Sequence, residues 1–226
     1  MLNLSYDRPA IGGLRRIAAK SGLAVALLGL PVIGTAQFAP PSTGPQVRDA
    51  SALKPPAGAK VAIVEFADLQ CPACAHANTW LKAAAAKYKI PWIRHDFLIP
   101  SHTWSRNASI RARWFDTQSA ALGDEYRDEV FASQASIYNL AMLSQFTEKF
   151  AEDHHVKLPF AVDPDGKLEA EVQADNELSK RTGLTQTPTI FVVTAGSTGS
   201  PFHFVADAEH DLEPAIQRAI SEAGGK

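Results

Sequence analysis

Residues 64–80 read VEFADLQCPACAHANTW, and the two cysteines in this stretch, Cys71 and Cys74, are the only two in a chain of 226 residues. They stand three apart, directly after Lys60–Leu69 (KVAIVEFADL), an apolar and β-branched run of strand length. From Cys71 onward the pattern turns helical, with Ala77, Leu81 and Ala85 along one face and Trp80, Ala84 and Tyr88 beside it. Pro72 fits a first helical turn, where its missing N–H is no loss. A thiol at a helix N-terminus faces unpaired backbone N–H groups and the positive end of the helix dipole, and both favour thiolate. Strand, Cys-x-x-Cys and helix start together point to a redox-active dithiol.

Two other uses of the cysteines carry less. A disulfide between them would close a loop too short to restrict the unfolded chain much, so a stabilising staple is a poor account. A zinc site needs about four ligands, and His76, His154 and His155 stand at no recognised ligand spacing from Cys71 and Cys74. No metal is expected, and no cofactor.

Composition narrows the class. Hydrophobic residues make up 46% and charged residues 20%, an ordinary globular balance with enough apolar side chains for a large core. The net charge of −2 carries no basic excess, which argues against a nucleic-acid partner. At the N-terminus Arg8, Arg15, Arg16 and Lys20 precede the uncharged apolar run Gly22–Gly34, and small residues at Gly34 and Ala36 stand where a signal peptidase reads. This is the layout of a secretory signal spanning residues 1–36. The run is shorter than the roughly 20 residues of a membrane span, although an uncleaved anchor over Ser21–Phe38 is the alternative. The expected location is therefore the periplasm or another exported space, where disulfides persist. Residues 37–59, rich in Pro, Gly, Ala and Ser, read as an extended leader or tether.

Several segments resemble the thioredoxin superfamily, and within it the DsbA-like branch. EFADLQCPAC (65–74) is similar to that family's strand-to-active-site segment, with an acidic residue, here Glu65, six positions before the first cysteine. HDFLIPSHTWSRNAS (95–109) resembles its second strand and the exit into a helical insertion, and LSKRTGLTQTPTIFVV (178–193) resembles the return to the core. The resemblance implies an α/β thioredoxin-like fold with an inserted helical domain, the core at 60–102 and 183–226 and the insertion at 103–182. It implies a cis peptide before Pro188 that packs against the cysteines and offers the backbone of Thr187 to a bound peptide. It also implies that Glu65 is a buried proton acceptor for Cys74, the reading that acid–base work at a desolvated carboxylate favours; the alternative is a carboxylate paired at the sheet surface, since an unpaired charge in an apolar strand would be costly.

Within the insertion, Tyr126, Val130, Gln134 and Ile137 keep a helical spacing, LAMLSQFTEKFAEDH (140–154) gives a further amphipathic helix, and Asp163–Gly166 a turn. A strand TIFVV (189–193), a Gly/Ser turn, a strand FHFVA (202–206) and a helix from about Leu212 close the chain. His76 reads as a surface residue of the first helix, His154 and His155 as a solvated helix end, and Trp104 and Trp114 as core of the insertion.

The activity implied is thiol–disulfide exchange on unfolded or partly folded exported proteins, with Cys71 as the attacked or attacking sulfur and a membrane redox partner restoring the pair. Oxidation of substrates is the first expectation, reduction or isomerisation with the same residues the alternative, and a non-enzymatic holding module the rival from another class. Ala73 offers neither charge nor side-chain hydrogen bond inside the Cys-Pro-Ala-Cys motif. A couple in the middle of the roughly −120 to −270 mV range is therefore expected.

Overall fold

A computed structural model describes residues 44–196 and 201–224. The signal-sequence reading of 1–36, the first part of the leader and most of the Gly/Ser turn before Phe202 lie outside the described residues.

Four strands form one mixed sheet in the order β2-β1-β3-β4: β1 (Val61–Ala67), β2 (Trp92–Asp96), β3 (Thr189–Thr194) and β4 (Phe202–Val205). β1 is central, parallel to β2 and antiparallel to β3, and β3 is antiparallel to β4. The parallel step from β1 to β2 needs a crossover, which α1 (Pro72–Tyr88) supplies. Helices α2 (Ser105–Gln118), α3 (Ala120–Ser133), α4 (Leu140–Asp153) and α5 (Lys167–Thr182) follow, and the chain then returns to β3 and β4 and ends in α6 (Leu212–Gly224). The α/β fold with an inserted helical block is what the sequence led us to expect.

The side-chain period of two divides the sheet's apolar residues between its faces. Val61, Ile63, Ile190 and Val192 pack under α1 and α6, against Leu81, Leu212 and Ile216. Ala62, Val64, Phe66, Phe191 and Val193 fill the opposite face. There the leader departs from its expected role as a tether. Leu53 is fully buried in that layer, Val47 and Ala52 pack beside it, and Arg48 N–H donates to Thr182 O at 3.0 Å. The reason is apolar area: among the described residues α5 is the helix on this face, through Leu178, and a short stretch carrying Val47, Ala52 and Leu53 covers the rest. Gly183 makes the contact possible, because it ends α5 at φ 86° and a Cβ there would meet the Gln46 carbonyl oxygen at 3.0 Å.

The insertion has its own core, which also takes in Leu69, Cys71 and Cys74. Phe115, Tyr126 and Phe150 stack and edge into one another with ring centroids 4.7–5.1 Å apart. Such pairs add roughly 0.5–1.5 kcal/mol each beyond their area. The Tyr126 hydroxyl is satisfied by Thr147 Oγ1 at 2.8 Å. Trp104 is buried and Trp114 half-buried at this core. Arg113 ties the insertion to β2, donating to both Asp96 and Asp175 at 2.6 Å.

Two readings need correction. The spacing of Tyr126, Val130, Gln134 and Ile137 is not one helix: α3 ends at Ser133, a single 3-10 turn covers Gln134–Ser136, and Ile137 is extended though still buried. The chain must turn there because Asn139 opens α4, its side chain accepting from Met142 N at 3.0 Å. His154 is also no freely solvated end. It caps α4, stacks on Phe150 at 4.1 Å and sits between Glu125 and Glu129, while His155 is exposed.

Candidate active site

The site forms where β1 runs into α1. Cys71 is the N-cap of α1, extended at φ −83° and ψ 119°, and its carbonyl accepts from Cys74 N and Ala75 N at 3.1 and 3.2 Å. The fold therefore places one sulfur at the helix mouth and the other inside its first turn. Cys71 is 7% exposed and Cys74 fully buried, and both are free thiols in this structure.

Their environments push the two thiols apart. Cys71 falls to about 5, first because Cys74 hydrogen-bonds to it and further through the N–H groups of Cys74 and Ala73, against an opposing cost of burial. Cys74 is pushed far up, chiefly by burial, then by its hydrogen bond to Cys71 and the negative charges of Glu65 and Cys71. Cys71 is therefore the thiolate at neutral pH and Cys74 the thiol.

Across the groove the Thr187–Pro188 peptide is cis, and the Cys71 thiol lies 3.6 Å from the Thr187 carbonyl oxygen. Thr187 and Pro188 line a groove of about 370 Å³ with Ala73, Ala77, Ile190 and Val205. His76 borders it from α1. Its side chain is exposed, as the sequence led us to expect, and lies 3.9 Å from Glu209.

Glu65 continues the row Val61–Ile63 on the face beneath α1, opposite Arg94 on β2 and Ile190 on β3. It is 1% exposed, which removes the sheet-surface reading. Trp92 Nε1–H donates to Oε2 at 3.0 Å, and Oε1 is buried without a partner. Burial raises this carboxyl to about 7, with Arg94 and the Trp92 bond pulling the other way. The structure thus brings Cys71, Cys74, Thr187 and Pro188 together, with Glu65 on the sheet below.

The sequence did not single out three polar groups around this site. Gln134 Nε2 donates to the carbonyls of Leu69 and Cys71 at 2.8 and 3.1 Å. Asp68 is buried, accepting from Gln70 N and Ile99 N at 2.7 and 2.8 Å. Arg94 lies over the Trp92 ring at 3.7 Å and reaches Asp128, which also binds Asn78 and Lys82 of α1. The available signals were weak ones: a glutamine on an otherwise apolar helical stripe, and charges interrupting apolar strands. The one candidate cation cluster found among the described residues, Glu125, Glu129 and His154, lies on α3 and α4 and includes neither cysteine. No helix among the described residues is long and apolar enough to cross a membrane.

A family model described as thioredoxin matches residues 56–195. No curated protein matches the chain significantly. Solved structures do. The chain is similar to alpha-DsbA1 of Wolbachia pipientis, at 17% identity and a TM-score of 0.61 over 75% of this chain and 90% of that one. It is similar to DsbA2 of Pseudomonas aeruginosa at 19% identity and TM-score 0.52, over 72% and 90% of the two chains. Reduced DsbA1 of Neisseria meningitidis gives 18% and 0.53, over 74% and 86%. At these identities the likeness is one of fold.

Proposed function

This chain belongs to the thioredoxin family, and from that premise we propose that it is an exported thiol:disulfide oxidoreductase that introduces disulfides into unfolded or partly folded proteins through Cys71 and Cys74. The observation that carries this reading is the placement of Cys71 at the N-terminus of α1, 3.6 Å from the carbonyl oxygen that precedes cis Pro188, with Cys74 fully buried in the first turn behind it.

The chemistry follows from that asymmetry. In the oxidised protein a substrate thiolate attacks the Cys71 sulfur, the Cys71–Cys74 bond breaks, and Cys74 leaves as a thiolate. Glu65, whose carboxyl is raised to about 7, then supplies its proton. A second substrate thiolate attacks the substrate sulfur of the mixed disulfide and expels Cys71, which leaves readily because its thiolate is stable. The substrate has lost two electrons and the cysteine pair has gained them. Another redox protein, membrane-bound in this reading, must remove them before the next turnover. In the reducing direction the same groups act in reverse, with the Glu65 carboxylate accepting the Cys74 proton. Thr187 and Pro188 form the wall against which an extended substrate segment lies, its backbone pairing with Thr187 independently of side-chain identity.

The reduction potential of the pair, titrated in glutathione buffers, tests the direction. A value above about −180 mV supports a disulfide donor, and one below about −230 mV makes the protein a reductase. Cys71→Ser should lose both insulin reduction and the oxidation of reduced substrate. If the pair shows no redox transition, the proposal fails and a binding module is the better description.

A further inference from the structure

The active-site loop is gripped from outside at four consecutive residues. Asp68 accepts from Ile99 N at 2.8 Å and lies 2.9 Å from His102 Nδ1. Gln70 Oε1 accepts from Trp104 N at 3.0 Å. Gln134, in the turn that follows α3, donates from a single amide nitrogen to Leu69 O at 2.8 Å and to Cys71 O at 3.1 Å. Among the described residues it is the only side chain that donates to the backbone of the nucleophile.

That bond answers a difficulty in the local geometry. An N-cap residue is ordinarily fixed by its own side chain, which accepts from an N–H of the first turn. Cys71 is the N-cap of α1, and although the N–H groups of Ala73 and Cys74 face its sulfur and favour the thiolate, the thiol makes no capping hydrogen bond. Its sulfur is the reacting atom and must stay available, so the backbone needs an external hold. An amide suits the task. Two carbonyls require two N–H donors, which the glutamine amide supplies; an ionised carboxylate in its place offers none and adds negative charge near a thiolate.

We propose that Gln134 is a positioning residue for the reaction: from the inserted helical block it fixes the Cys71 backbone, and thereby holds the Cys71 sulfur between Cys74 and Thr187. There the sulfur accepts from the Cys74 thiol and faces the N–H groups of the first turn, and these donors, whose alignment depends on a well-defined N-cap backbone, stabilise the reduced, thiolate form. Loosening the N-cap therefore weakens the thiolate and makes the pair less oxidising. This inference rests on the thiol:disulfide reading above.

The test compares the full-length chain with Gln134→Ala and Gln134→Glu, the latter close to isosteric. Thiolate absorbance at 240 nm gives the Cys71 titration, and glutathione equilibria give the redox constant. Both variants should titrate at higher pH than the parent. Their redox equilibrium should move toward the reducing side by roughly tenfold, the worth of one charge-linked hydrogen bond, with Gln134→Glu affected more at pH 7. Unchanged titration and redox constants in folded variants overturn the proposal, and so does a lowered melting temperature without either change. If neither variant folds, the parent decides by NMR. The Gln134 side-chain amide protons should exchange more slowly than those of a free glutamine and shift on oxidation; free-amide exchange rates overturn it. Absence of any redox transition in the parent instead removes the underlying reading.

Discussion

The indole N–H of Trp92 donates to Oε2 of Glu65 at 3.0 Å and leaves Oε1 buried without a partner. One acceptor atom of this carboxyl is satisfied by the protein and the other is not, which is how a carboxyl is kept near neutrality under a strand-to-helix junction.

Glu65→Gln keeps an acceptor for Trp92 and removes the titration. The proton-coupled step at Cys74 should slow by roughly a hundredfold or more, and the inflection near pH 7 in its pH–rate profile should vanish. Stability gives an independent readout. A folded-state value of about 7 against 4.5 unfolded means that the native state holds a proton the unfolded state has lost between those values. Stability therefore falls as pH rises through that window and levels off above it. By pH 8 the variant should be more stable than the parent by about 3 kcal/mol. Matching urea curves at pH 8 would contradict the burial of an ionised Glu65.

Cys71 carries the opposite sign. Its thiol is lowered to about 5, so the reduced form gains stability that is fully present above the unfolded thiol's range, near 8.5, and lost as pH falls through 5. Thiolate absorbance should fall away in acid with a midpoint near 5. Cys74→Ala removes the donor that lowers it most and should move the midpoint upward. A midpoint that stays put would remove the Cys74 thiol from the account.

Arg94 is the largest influence drawing the Glu65 carboxyl down. Arg94→Met should shift the Glu65 inflection to higher pH, while Lys82→Met, farther out on Asp128, should shift it much less. Equal shifts in both would show that only the summed charge matters.

Leu53→Ala opens a cavity between the leader and the sheet face. Thermal and denaturant unfolding should show a loss of about 2–5 kcal/mol, as for other fully buried leucines. A loss below about 0.5 kcal/mol, the size of a surface substitution, would mean that the leader contributes nothing to the fold.

The strand, the helix start and the two cysteines were legible because local rules decide them: β-branched runs, a proline at N1, and a dithiol at fixed spacing. Glu65 was visible as a charge in an apolar strand, but its burial depends on α1 lying across that face, which one strand cannot announce. The leader was misjudged because Pro, Gly and Ala describe chain stiffness, whereas Leu53 reports a surface needing cover. Gln134 was read as part of a helix face. Its partners lie more than sixty residues away, on carbonyls whose exposure only the assembled structure determines.

β1 takes its two neighbours from unequal distances along the chain: β2 is close behind it, whereas Phe66 pairs with Thr189, more than a hundred residues on. A ribosome delivering residues in order makes Cys71 and Cys74 early and Thr187 late. Until the return strand emerges, the nascent chain holds two thiols but no opposite wall, and the central strand has one open edge. The long interval is filled by helices, whose contacts are local and quick to form. Competence is thus deferred to the end of synthesis, and a chain truncated before residue 187 keeps its Cys-x-x-Cys without a finished groove.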